Sequence, residues 1–127
     1  MELSAFLRDT LAEYPQKSVK LSERFPEFTV RCLSADEDAK IRARCTVRIP
    51  DGRGGSFPEV DPNKYLIAVA AESVVTPDLS DAALQNSYRT MGREDTLIAM
   101  LAKPEFDRLC AFLTVEGFAE LVDTAKK

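Results

Sequence analysis

Two acidic pairs are the first candidates for chemistry in this chain: Asp78 with Asp81, and Glu94 beside Asp95. Paired carboxylates can divide general acid and base roles or hold a divalent cation. Both pairs fall at predicted helix starts, however, where acids are favoured by the positive end of the helix dipole alone. Histidine is absent from the chain, which removes the commonest general base and the commonest metal ligand together. Cys32, Cys45 and Cys110 stand 13 and 65 positions apart. That spacing matches no zinc or redox pattern, and the thiols read as small, reduced core residues. The stretch Gly52-Arg53-Gly54-Gly55-Ser56 has the glycine content of a phosphate cradle but not its lysine, and Phe57-Pro58 follows where a helix should start. These residues predict no enzyme, no metal and no cofactor.

Binding features are clearer. Lys40, Arg42, Arg44, Arg48 and Arg53 form the sharpest local charge asymmetry. Lys40, Arg44 and Arg48 would lie one above another if a single helix carried all three. The stripe is either a docking face for an acidic protein segment or nucleic acid, or a solvated helix face. The first reading would make the chain a small regulatory or adaptor domain bound to a bacterial protein through Lys40–Arg53. In the other half, Tyr88, Met91 and Met100 punctuate a run of helical patterns, and methionine suits both irregular cores and adaptable contact surfaces. Arg42, Arg44, Arg48, Tyr88, Met91 and Met100 are therefore the candidate partner-contacting residues.

The elements that must position them follow from local signals. Residues 4–13 pattern as a short amphipathic helix with Ser4 as its cap and Leu3, Phe6, Leu7 and Leu11 on one face. Val19 and Leu21, then Phe28, Val30 and Cys32, alternate with polar residues and predict an antiparallel hairpin across Phe25-Pro26-Glu27. Ser34 and Glu37 have capping-box spacing, and the helix they open should reach about 43–46. Thr46-Val47-Arg48-Ile49 fits a third strand or the frayed end of that helix. Residues 50–58 read as a flexible excursion because Gly52, Gly54 and Gly55 crowd into it. Asp61-Pro62 opens a helix that is apolar nearly all round from Tyr65 to Val75, which is stable only if other elements cover it on most sides. It reads as the hub of the fold, ended by Pro77. Shorter helices follow: one capped by Ser80 with Leu79 and Leu84 as a hydrophobic staple, one over about 93–102, and one starting at Pro104 with Gly117 as its C-terminal cap. Phe118, Leu121 and Val122 could dock a last turn, and residues 124–127 should fray.

Together these predict a single α+β domain, mostly helical, with a small antiparallel β-hairpin near the N-terminus. Its 127 residues are enough to bury a core without disulfides. The longest apolar run is too short to span a bilayer, and Glu2 without a basic flank predicts no secretory signal, so a cytoplasmic location is expected. The net charge of −4 opposes nucleic-acid binding but not protein partners.

The order of features in residues 61–109 resembles the XkdN-like tail assembly chaperones of tailed phages. The matching residues are the opening Asp61 with Lys64-Tyr65, the apolar helix, Thr76-Pro77-Asp78-Leu79, and Leu84-Gln85-Asn86-Ser87-Tyr88. Met91-Gly92 with Glu94-Asp95 and the step from Met100-Leu101 to Pro104-Glu105-Phe106 complete the series. Two departures from the pattern stand out: Arg89 stands where a glycine is expected, and Lys103-Pro104-Glu105 where Pro-Gly-Glu is expected. The resemblance implies a chaperone that holds the tape measure protein soluble in the host cytoplasm until the tail tube polymerises, and that is absent from the finished virion. It also implies a longer form made by frameshifting that could reach the tail tube protein. A second copy of the chain is a further candidate partner, and neither nucleic acid nor membrane is expected.

Overall fold

The computed structural model describes residues 15–116 together with Leu3 and Leu7. The expected helix over 4–13, the Gly117 cap, the last turn at Phe118–Val122 and the frayed 124–127 lie outside the described residues.

The fold is α+β, as the sequence predicts. Strands β1 (Gln16–Val19) and β2 (Phe28–Arg31) pair antiparallel, Gln16 opposite Arg31 and Val19 opposite Phe28. Phe28 and Val30 point into the core and are 2% and 0% exposed. Leu21 is also buried, but it lies in the connection and not in the strand. A third strand, β5 (Val74–Thr76), completes this sheet in the order β1-β2-β5, with an irregularity at Thr29/Val30. The sequence reading assigned Val74 and Val75 to the hub helix. That helix, α2 (Pro62–Ser73), stops two residues earlier: the Ser73 hydroxyl donates to the Val69 carbonyl, and Val74 turns extended. Two β-branched valines at the end of a helix are better placed against a neighbouring strand than in a further turn.

The capped helices form as their local signals require. Ser34 and Glu37 close a capping box on α1 (Ala35–Arg44), the Ser34 hydroxyl accepting from Glu37 N at 3.0 Å and Glu37 Oε1 accepting from Ser34 N at 3.0 Å. Asp61 Oδ1 accepts from Asn63 N and Lys64 N at the start of α2. In α3 (Ala82–Ser87) the cap is Asp81, not Ser80, because a carboxylate can accept from both Ala83 N and Leu84 N. That shift moves Leu79 and Leu84 off the staple positions, although both still join the core. Helices α4 (Arg93–Met100) and α5 (Lys103–Ala111) follow, and α5 continues as a π-helical turn, Phe112–Glu116.

Residues 50–58 are not an open excursion. Strands β3 (Thr46–Pro50) and β4 (Ser56–Val60) form a second antiparallel hairpin, with Ile49 opposite Phe57, so only residues 51–55 turn. Asp51 organises that turn by accepting from Arg53 N and Gly55 N, while Gly52 and Gly54 take φ of +80° and +85°. Glycine clustering here marks a tight reversal between strands.

The main core gathers Phe28, Val30, Ala70, Ala71, Val74, Leu79, Leu97 and Leu109 between the three-stranded sheet and the helices. A smaller cluster of Ile41, Cys45 and Ala68 joins α1 to α2. The hub role of α2 is borne out on the face carrying Ala68, Ala70, Ala71 and Ser73, all buried, whereas Leu66 is 36% exposed and Val69 half-buried. Small residues on the buried face let neighbours approach closely, and the larger ones are left for the surface.

Candidate functional site

The exposed flank of α2 forms the floor of a shallow groove of about 420 Å³. Its other walls are the end of β2 with Cys32 and Leu33, the first turn of α1, and the π-helical turn with Leu113 and Thr114. Leu33, Tyr65, Val69 and Leu113 give it apolar character. The α1 capping box and the Asp61-Pro62 start of α2 are what hold these walls in place, since each fixes the entry of one helix.

Ion pairs pin the rim. Arg31 forks onto Glu37 at 3.1 and 2.8 Å and reaches Glu72 at 3.6 Å. The Arg31 guanidinium, with the Ser34 backbone amide, holds the Glu37 carboxyl down at about 2. On the opposite side the Tyr65 hydroxyl donates to Asp38, and Arg42 donates to the same carboxylate at 2.8 Å with its guanidinium 4.6 Å above the Tyr65 ring. The Tyr65 hydroxyl and Arg42 together lower the Asp38 carboxyl, whereas burial first and Asp38 second raise the Tyr65 phenol. Burial likewise raises the Cys32 thiol against the opposing pull of Arg31, so it stays protonated at neutral pH and is a poor nucleophile. An apolar floor with a neutralised, pre-ordered rim suits packing against another apolar surface.

The six residues expected to contact a partner do not come together. Arg42 borders the groove through Asp38 and Tyr65. Arg44 points away to Glu94 at 3.3 Å, and Arg48 lies on β3, donating to Ser56 Oγ and Ser56 O at 3.0 and 2.9 Å. Helix α1 ends at Arg44, so Arg48 cannot stack on Lys40 and Arg44. Lys40 pairs with Asp36 at 3.1 Å, so the basic stripe is largely self-neutralised. Tyr88 is the half-buried C-cap of α3, Met91 is 88% exposed on the corner after it, and Met100 is 5% exposed in the core. Met100 thus follows the core reading of methionine, and Met91 stands alone at the surface.

Three of the four acids in the two pairs have structural partners. Asp78 accepts from Ser80 N, Asp81 caps α3, and Glu94 pairs with Arg44. Among the described residues no group of three or more His, Cys, Asp or Glu is placed to hold a metal. No helix among them is long and apolar enough to cross a membrane. Of the thiols only Cys45 is buried, and Cys32 and Cys110 are half-buried. Sequence patterning missed Leu33, Val69 and Leu113 as a surface, because each sits within an apolar pattern that reads equally well as core.

A model of the family described as phage XkdN-like tail assembly chaperone protein matches residues 3–126 of the chain. Among solved structures, the crystal structure of the protein yqbn is similar, with a TM-score of 0.70 and 16% identity over 93% of this chain and 98% of that one. At that identity the likeness speaks for the fold. No curated protein matches the chain.

Proposed function

We propose that this chain, which belongs to the phage XkdN-like tail assembly chaperone family, serves tail assembly by covering apolar helical segments of the tape measure protein and keeping it soluble until the tube forms around it. The observation that carries this reading is the groove lined by Leu33, Tyr65, Val69 and Leu113. It has the shape and chemistry to take the apolar stripe of an amphipathic helix, recognised through residues one turn apart. A long protein rich in such helices exposes its stripe before assembly and would aggregate through it. Many copies of a small chaperone, each held weakly by a shallow groove, would cover the stripe and could still be displaced as the tube grows. No nucleotide, metal or other cofactor is needed for such a cycle. The host cytoplasm is where it would operate.

Co-expression with the tape measure protein tests the role. The tape measure should stay soluble and co-purify, and Leu33→Asp or Val69→Asp should abolish co-purification while the chaperone itself stays folded. Retention at moderate salt is expected, because screening weakens exposed charge pairs far more than buried apolar contact. Release at moderate salt, with loss on reversing Arg42 or Arg44, would shift the contact to the basic stripe. A tape measure equally soluble with and without this chain would overturn the role.

A further inference from the structure

The β3–β4 hairpin projects as an arm: not one residue from Thr46 to Val60 is buried. A lone two-stranded hairpin is marginal in water, so an arm of this kind gains from an occupant on its face. The register shows which face. Val47 lies opposite Glu59 and Ile49 opposite Phe57, so these four side chains share one side, with Phe57 45% exposed. Arg48, Ser56 and Pro58 share the other, where Arg48 is already bonded to Ser56.

The same register disfavours strand addition. Asp61 N donates to Cys45 O at the root and Asp51 N to Gly55 O at the tip, at 2.9 and 3.1 Å. Hydrogen-bonded and non-hydrogen-bonded pairs alternate along an antiparallel ladder. The Thr46·Val60, Arg48·Pro58 and Pro50·Ser56 pairs are therefore the outward-facing ones. Each edge thus presents a proline, Pro50 on β3 and Pro58 on β4, that has no N–H to offer a third strand. The face, with its exposed Phe57, is the better docking surface than either edge.

We infer that the arm is a self-association element: two copies pack their Val47–Ile49–Phe57 faces together about a two-fold axis through the Ile49·Phe57 pair. The charges argue for a second copy. Arg53 at the tip and Glu59 near the root have no ion-pair partner among the described residues. A two-fold through Ile49·Phe57 lays the tip of one arm over the root of the other and brings each Arg53 to the partner's Glu59. One surface then supplies both halves of its own complement, as an isologous contact requires.

Sedimentation equilibrium on the full chain tests this. A dimer that dissociates on dilution is expected, and Phe57→Asp should leave a monomer with an unchanged melting curve. Arg53→Glu or Glu59→Arg alone should each weaken the dimer about tenfold, and the double reversal should restore most of it. That rescue keeps the test decisive even if Phe57→Asp misfolds. A monomer at every concentration, a dimer indifferent to Phe57→Asp, or a double reversal no better than either single one would overturn the proposal.

Discussion

Arg24 and Glu105, 81 positions apart, close the connection between β1 and β2 onto the start of α5: Arg24 Nε donates to Glu105 Oε2 at 3.1 Å and Nη2 to Oε1 at 2.7 Å. The same Nη2 also donates to the Met100 carbonyl at 2.9 Å. Glu105 accepts in addition from the Ser22 hydroxyl and from Ala102 N at the α5 N-terminus. One carboxylate thereby satisfies a helix start, an arginine fork and a loop hydroxyl. Glu105, the last residue of the Lys103-Pro104-Glu105 step where the resemblance leads one to expect Pro-Gly-Glu, carries these bonds.

Acid should dissolve this lock. The Arg24 fork, then Ser22 and the Ala102 amide, hold the Glu105 carboxyl down from its ordinary 4.5 to about 2, and Glu37 is held at about 2 by Arg31 and Ser34. Folded-state values below the unfolded ones mean that the stabilisation is complete above the unfolded value and is lost as pH falls between 4.5 and about 2. The thermal midpoint should decline across that window. Glu105→Gln should melt lower than wild type at neutral pH, and the gap should narrow as pH approaches the lower limit. A gap independent of pH would show that Glu105 acts by packing alone.

Arg89→Gly should stabilise the domain by about 0.5–1 kcal/mol, after the added flexibility of the unfolded chain is set against relief of left-handed strain. Arg89 holds φ of +56° at the corner after α3, the conformation that the glycine expected there would adopt freely. Chemical denaturation of the two variants would measure it. Equal or lower stability would place an unrecognised role on the arginine side chain.

Leu97→Ala should cost about 2–5 kcal/mol, because a fully buried leucine leaves a cavity that packed neighbours only partly fill. Leu97 is 0% exposed between α4 and the main core. Denaturant unfolding at constant slope would read the loss. Val69→Asp, on the half-buried groove floor, should cost less than Leu97→Ala, reversing the order that an all-round apolar reading of α2 would suggest.

Amide exchange along the arm should alternate. Val47, Ile49, Phe57 and Glu59 fall in the inward-bonded pairs and should exchange more slowly than Arg48 and Ser56, whose N–H groups face outward. Asp51→Ala should speed exchange in the whole arm with little change in the global midpoint, since no arm residue is buried. Uniform exchange in the native chain would show a different register.

What could be read from the chain by itself was local. The Ser34–Glu37 box and the Asp61-Pro62 start announce their helices because a cap and its N–H groups lie within a few residues of each other. The order of features from Asp61 to Leu109 carries the family, and the α+β class follows from counting helical and alternating patterns. Tertiary structure decided what depends on distant partners. Val74 and Val75 became a strand because β2 offered an edge, and the glycines at 52–55 became a reversal because Ile49 meets Phe57. Met100 went to the core and Met91 to solvent, although both are methionines at helix borders. The candidate groove was invisible for the same reason. Leu33, Tyr65 and Val69, and Leu113 come from three separate parts of the chain, and whether an apolar side chain ends as core or as binding surface is settled by what packs over it, which no local spacing records.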